Sequence, residues 1–560
     1  MKSDIRHGGV LMVFLRVLCV LCGAIFWVPS FAAEPQQRYQ EHCAVCHGPD
    51  RLGLTGPALL PESLGRLKKT DAARSIREGR EATQMQGFAD KLSVAEIDAL
   101  VQLIYTPVEP RPNWSVAQIK ASRLVPHAAG SLPDKPVPVS NKPVPASDKP
   151  LPVVNKPLPL LNKPLPVFAG VDMMNLFVVV ETGDHNVTIL DGDKLEPIHR
   201  FPSRYALHGG PKFTPDGRYV FFASRDGWVT KFDIWNLQVV AEIRAGINTR
   251  NVAVSGDGKY VAVANYLPHT LVLLDADLNL LKVLDVKDKD GKQSSRVSAV
   301  YDAAPRQSFV AALKDVPEVW EISYDPQVED IPMGLIHDFQ FKEGAFIPGF
   351  LNPRRTLLSE PLDDFFFRQD YGELMGASRE AGKGQVVNLN VRRKVGDLQL
   401  PGMPHLGSGI TWEWQGRQVM ASPNFKEGVI SVIDMNDWKT IKTIPTLGPG
   451  FFMRSHEDTP YAWTDSMMSK AKDTLQVIDK RSLERVAEVK TDPGKTLAHI
   501  EFTRDGKYAL ASLWERKANG GALIVFDAAT FKEVKRIPMD KPVGKYNLYN
   551  KITRSEGTSH

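Results

Sequence analysis

Hydrophobic positions change pattern four times along this 560-residue chain. An apolar stretch runs near residues 9–28. Beyond it, "SVAEIDALVQLIYTP" spaces its apolar residues for a helix, from an N-cap Ser93 to a stop at Pro107. "QQRYQEHCAVCHGPD" and "DAARSIREGR" predict two earlier helices of the same small unit. From residue 134, five copies of a seven-residue unit follow, each with proline at its third and fifth positions: "DKPVPVS NKPVPAS DKPLPVV NKPLPLL NKPLPVF". From about residue 168 to the end the apolar runs shorten to strand length and are punctuated by glycine turns.

That last region carries a refrain. "TPDGRYVFFASRDGWVTKFDIWNLQVVAEIRAG" returns in outline as "SGDGKYVAVANYLPHTLVLLDADLNLLKVLDV" and as "TRDGKYALASLWERKANGGALIVFDAATFKEVKRIPM". Each copy has a glycine turn, an apolar strand, a second strand ending in Asp, and a further strand. Units of about 40 to 50 residues with four strands are propeller blades. About 390 residues at that period give eight blades, seven lying within the error of the division. The predicted fold is therefore a small all-α domain followed by an all-β eight-bladed propeller. Four segments result: 1–32, 33–110, 111–167 and 168–560.

The first segment has a basic start, the apolar run, and small residues Ser30 and Ala32 before a cleavable bond, which is the build of a secretory signal peptide. An uncleaved anchor is the rival reading. Arg16 inside the run and the Ser-Phe-Ala-Ala exit argue against it and against stable membrane insertion. The third segment reads as a linker whose prolines hold it near polyproline II, at about 3 Å per residue.

Charge excludes a partner class. Lys and Arg total 69, Asp and Glu 65, giving a net +4 with both signs interspersed, so nothing points to nucleic acid. Of four cysteines, Cys19 and Cys22 leave with the signal. Cys43 and Cys46 remain, in "HCAVCHGPD", the attachment signature of a c-type heme: two thioethers to the porphyrin and His47 on the iron. Covalent heme attachment outside the bacterial cytoplasm agrees with export to the periplasm. Met85, in "TQMQGF", is the candidate sixth ligand, with a core methionine as the rival reading. His42 is a weaker rival, too close to the attachment motif to reach the distal side.

A c-heme domain ahead of such a propeller, with "RYALHGGPKFTPDGRYVFF" opening it and "PVGKYNLYNKI" near its close, resembles the cytochrome cd1 nitrite reductase family and its heme d1-handling relatives. The resemblance covers nearly everything outside the signal and the proline repeat. It implies that His208 binds the iron of a d1-type tetrapyrrole and that His405, in "GMPHLGSG", overhangs it. It also places Arg204, Arg225 and Arg250 at the tetrapyrrole carboxylates, which guanidinium forks suit.

The reductases carry a "HDGG"-type stretch whose histidine helps deliver protons to nitrite. The matching region here, "EGAFIPGFLNPRR", has no histidine, and His337 nearby fits the register poorly. Instead "GKTLAHIEF" supplies His499. That combination is similar to the dihydro-heme d1 dehydrogenase branch of the family. It implies oxidation of a propionate side chain of dihydro-heme d1 to an acrylate, with the tetrapyrrole as substrate and heme d1 as product. His499 would be the base, with an imidazole suited to neutral pH, and His405 a second acid, base or positioning group. Electrons would pass to the c heme and on to an external acceptor, with nitrite reductase or heme d1 maturation proteins as partners. The alternatives are a cytochrome cd1-type nitrite reductase and a non-catalytic heme d1 carrier. Any single histidine can equally be a satisfied core residue; His456, His185, His199, His269 and His337 are read that way. Tyr205, Trp463, Lys545 and Tyr546 are weaker candidates for the pocket wall.

Overall fold

A computed structural model of the protein describes residues 35–53, 56–64, 67–79, 85–109, 112–125, 162–183, 185–204, 206–338, 343–378, 383–514 and 521–553. The predicted signal, most of the proline repeat and Tyr205 lie outside these residues. Among the described residues, no helix is long and apolar enough to cross a membrane.

Five helices form the first unit: α1 (Pro35–His42), α2 (Ala44–His47), α3 (Pro61–Leu64), α4 (Lys69–Glu78) and α5 (Val94–Tyr105). α5 starts as its sequence dictates. The Ser93 side chain accepts the Glu96 N–H while the Glu96 carboxylate takes the Ser93 N–H, a reciprocal capping box. Its apolar positions Ile97, Leu100, Val101 and Ile104 then face one way, onto Tyr39, Ala72, Ile76 and Phe88.

The segment read as a linker is folded at its near end. Residues 112–125 include α6 (Val116–Ala121), opened by a second capping box between Ser115 and Gln118. Ile119 enters the core between two blades, Trp114 Nε1 donates to the Arg244 carbonyl at 2.7 Å, and Leu124 bridges to Glu242. Proline density, which forbids ladder and helix bonding, begins only at residue 133, so the preceding stretch is free to fold.

The remainder makes eight four-stranded antiparallel sheets. They span residues 176–202, 212–244, 248–285, 297–357, 364–399, 410–445, 453–490 and 496–539, blades 1 to 8. Blade 4 carries a two-stranded insertion, Ile331–Asp338 with Glu343–Ile347. Strand Pro542–Asn547 returns to pair with Leu176–Glu181, so blade 1 is completed by the last strand of the described residues and the ring is closed. α7 (Leu548–Thr553) follows it.

Local chemistry explains the refrain. In "TPDGRY", "SGDGKY" and "TRDGKY" the hydroxyls of Thr214, Ser255 and Thr503 donate to Asp216, Asp257 and Asp505, at 2.5, 2.6 and 2.6 Å. Gly217, Gly258 and Gly506 take the left-handed conformation that closes each turn. At the next turn Asp191, Asp233, Asp275, Asp434, Asp479 and Asp527 each cap a backbone N–H. Outer strands such as Glu484–Lys490 and Glu533–Met539 expose charged residues, which discourages edge-to-edge pairing.

The helical unit sits on the propeller. Ala58 and Leu60 pack on Ile247 and Leu267 of blade 3, with Leu52 and Trp114 at the border. Arg244 Nη2 donates to the Leu52 carbonyl at 3.2 Å and Asn248 Nδ2 to Ser63 Oγ at 3.3 Å.

Candidate functional site

The sequence places one site in the helical unit. Cys43 and Cys46 flank one turn, and His47 is buried with Nδ1 2.7 Å from the Pro57 carbonyl. That bond fixes the proton on Nδ1 and leaves Nε2 a lone pair for iron. Gly56 is required beside it, since a Cβ there would lie 2.8 Å from the ring. Met85 packs into the same apolar cluster as Cys43 and Ala44, and Phe88, three residues on, meets the His42 ring at 6.0 Å. These residues suit a covalent heme with a thioether on its second face.

The larger site is a cavity of about 360 Å3 at the propeller's centre, reached by the first strand of most blades. His208, Arg250, Tyr301, Asp364, His405, Arg454, His499, Tyr546 and Lys551 line it, so the three histidines proposed from the sequence meet in one place.

His208 Nδ1 lies 2.7 Å from the Arg250 carbonyl. The carbonyl can only accept, so Nδ1 carries the proton and Nε2 the lone pair. Arg250 Nη1 lies against the ring, 2.9 Å from Nδ1 and 3.1 Å from Nε2. Burial, then Arg225 and Arg250, hold the ring's pKa well below its ordinary value, which keeps it a ligand rather than a cation.

His405 repeats the device, with Nδ1 2.5 Å from the Phe451 carbonyl. It stands between Phe425 and Phe451, at 4.6 and 4.2 Å, and burial lowers its pKa to about 4. Phe452 separates it from His499, whose ring lies 4.5 Å from that phenyl.

His499 sits on a bulge in strand Thr496–Phe502, at φ +51°. The bulge breaks the alternation of the strand and re-aims the imidazole, at a backbone strain of about 1 to 3 kcal/mol. The residue is buried and lines the cavity, and its Nε2, itself buried, has no hydrogen-bond partner among the described residues. Burial, then Lys545 and Arg454, push its pKa well below the ordinary value.

The remaining proposed residues separate. Arg204 makes a bidentate pair with Glu242, at 3.0 and 2.5 Å, and covers Trp228 at 3.9 Å; it does not line the cavity. Arg225 is not among the residues lining the cavity, and its charge lowers the pKa of His208. His456 and Trp463 are buried away from the cavity, Trp463 within the core shared by blades 7 and 8. His337 lies in the blade 4 insertion, in strand Ile331–Asp338.

Sequence reasoning missed Lys212, Arg454 and Lys551, which with Arg250 give the cavity four basic side chains against one lining carboxylate, Asp364. Asp364 accepts from Tyr301 Oη and Gly407 N–H, both at 2.8 Å. The missed signal was a charge inside an innermost strand, as in "FFMRSH". Such a strand is otherwise apolar, and a buried cation needs an opposite charge: Arg454 has the buried Glu501 carboxylate 3.8 Å away and lines the cavity as well.

Comparison with known proteins agrees with this geometry. The family described as cytochrome D1 heme domain matches residues 171–551. The chain belongs to that family. Residues 30–104 match the family described as cytochrome C oxidase, cbb3-type, subunit III, so a cytochrome c unit precedes the d1-type propeller. Dihydro-heme d1 dehydrogenase of Pseudomonas aeruginosa is 52% identical over 549 residues, covering 98% of this chain and all of that protein. Nitrite reductase of Stutzerimonas stutzeri is 24% identical over 93% of the chain and 94% of its own length. A solved structure of dihydro-heme d1 dehydrogenase NirN in complex with DHE superposes with a TM-score of 0.77 at 51% identity, covering 93% of this chain and all of the other. The protein is thus an oxidoreductase of the cytochrome d1 family.

Proposed function

We propose that this protein oxidises a propionate side chain of dihydro-heme d1 to the acrylate of heme d1 and passes the electrons to its own c-type heme. The observation that carries the reading is His499. Its imidazole lines the same basic cavity as His208, its Nε2 has no hydrogen-bond partner among the described residues, and the carbonyl bond at His208 Nδ1 leaves that ring's Nε2 as a metal ligand.

Forming C=C from CH2–CH2 releases two protons and two electrons. His499 is placed to take a proton from the propionate, and the low basicity that burial gives it keeps it unprotonated beforehand. His208 holds the substrate iron. Arg250, Arg454, Lys212 and Lys551 receive its carboxylates, and His405 orients its remaining substituents. The c-type heme supplies a one-electron outlet. Between the two sites the protein offers a short connection: Ala58, next to the carbonyl on His47, packs on Ile247, and the Arg250 carbonyl three residues further along holds His208.

The periplasm is the compartment that suits the N-terminal signal and the covalent heme. An external acceptor, and nitrite reductase or heme d1 maturation proteins as recipients of the product, complete the proposal. The 52% identity to a dihydro-heme d1 dehydrogenase supports it.

The test is to load the purified protein with dihydro-heme d1, add an oxidant and weigh the pigment. Loss of two hydrogens is expected. Unchanged pigment would leave a carrier, and nitrite turnover at enzymatic rates by the heme d1-loaded protein would make it a reductase.

A further inference from the structure

The cavity wall that α7 builds with blades 7 and 8 crowds basic groups around one carboxylate. Glu501 is completely buried on the inner strand of blade 8. Its Oε1 accepts from the Phe502 N–H at 3.0 Å and from Asn550 Nδ2 of α7 at 2.9 Å. Its Oε2 has no hydrogen-bond partner among the described residues and lies 3.8 Å from Arg454 Nε, which has none either. Lys551, next to Asn550 on α7, lines the cavity beside Arg454, with Nζ 5.5 Å from the centre of the Tyr546 ring.

Glu501 therefore faces several basic groups at once. It favours the charged forms of Arg454, Lys545 and Lys551, and Asp465 joins it at Lys545. Arg454 stays charged at any working pH, so it claims the carboxylate first. For Lys551 the remaining balance is unfavourable. Removal from water and Arg454 of blade 7 hold its pKa well below the ordinary lysine value, Glu501 counters them, and Lys212 of blade 2 adds to them. His499 of blade 8 is also within its field, and Lys551 disfavours a cation there. A carboxylate laid against Arg454 and Lys551 reverses that sum, because it brings a second anion beside Glu501 to a place from which the macrocycle displaces water.

We propose that Lys551 is a proton-linked anchor for one carboxylate of the substrate: a neutral amine in the unloaded protein, it takes up a proton as that carboxylate binds. The inference rests on the dehydrogenase reading and deepens it, since it assigns one of the groups that reading uses to hold the pigment. The proton comes from water or buffer and bonds to Lys551 Nζ. No electron moves, so the step belongs to loading and precedes oxidation. It also makes the anchor selective, because an ester or amide in place of the carboxylate brings no anion to stabilise the ammonium.

The experiment titrates the full protein with dihydro-heme d1 without oxygen, the c heme kept reduced so that loading occurs without oxidation. Calorimetry in two buffers of different ionisation enthalpy counts the protons. Loading at about pH 8.5 should take up about one proton per pigment, and Kd should rise with pH by up to about tenfold per unit. Lys551→Met should bind more weakly, take up no proton and lose that slope. Lys551→Arg, charged throughout, should bind with a flat pH dependence and no uptake. Pigment with methyl-esterified carboxylates should load without uptake, and it decides the matter if Lys551→Met does not fold. No uptake by the unaltered protein, uptake that survives in Lys551→Met, or uptake with the ester overturns the proposal. If the proton is taken up but an oxidant never lowers the pigment's mass by two hydrogens, the anchor stands and the dehydrogenase reading fails.

Discussion

Three histidines share this cavity and differ in what holds their Nδ1 atoms. A backbone carbonyl fixes His208 and another fixes His405, whereas His499 is faced by an amine. Fixed rings make good ligands and walls, and the ring with a titratable neighbour makes the better base. His208→Ala should therefore lose the spectral signature of an iron-bound imidazole and weaken tetrapyrrole loading, measured by titration of the visible absorption. His499→Ala should load pigment yet leave its mass unchanged. A further consequence concerns stability. Unfolded, a histidine takes a proton near pH 6.5, but the folded His405 resists until about 4. Between those values the unfolded state binds more protons, so stability falls as pH falls. Thermal melts of the unloaded protein should drop from pH 6.5 to 4, and drop less in His405→Gln. The identities of these histidines were legible in the sequence through short motifs. The tautomers were not, because carbonyls that are distant in sequence set them. Nor was the role of Arg454, since one basic residue in an apolar strand does not reveal which charge it faces.

At the level of elements, strands and turns were the legible part. The paired hydroxyl and aspartate of each "DG" turn act within six residues, so sequence alone specifies them. α6 escaped notice because its six residues are held by blades that come more than a hundred residues later. The seating of the heme unit escaped for the same reason, as it depends on Leu60 and Ala58 meeting Ile247 and Leu267. Leu60 is fully buried there. Leu60→Asp should place an unpaired charge in that seam and release the unit, with both domains still folded. Small-angle scattering should then report a larger radius, and electron transfer from loaded pigment to the c heme should slow.

For the whole molecule, ring closure is the organising fact. The blades converge their inner strands on one axis, so residues spread along the sequence from Val180 to Lys551 reach one cavity. Ending the protein after residue 541 would remove the partner of Leu176–Glu181 and leave an open ring. Such a truncation should fail to bind the pigment and unfold at lower temperature, observable by circular dichroism. The strand concerned is also the one that carries Lys545 and Tyr546 to His499. The catalytic wall is therefore finished by a segment that follows every other strand in sequence. During synthesis an incomplete polypeptide already contains the heme-attachment cysteines but no finished cavity. The architecture thus sets an order of assembly, in which competence to oxidise a reactive tetrapyrrole arrives only when the fold is sealed.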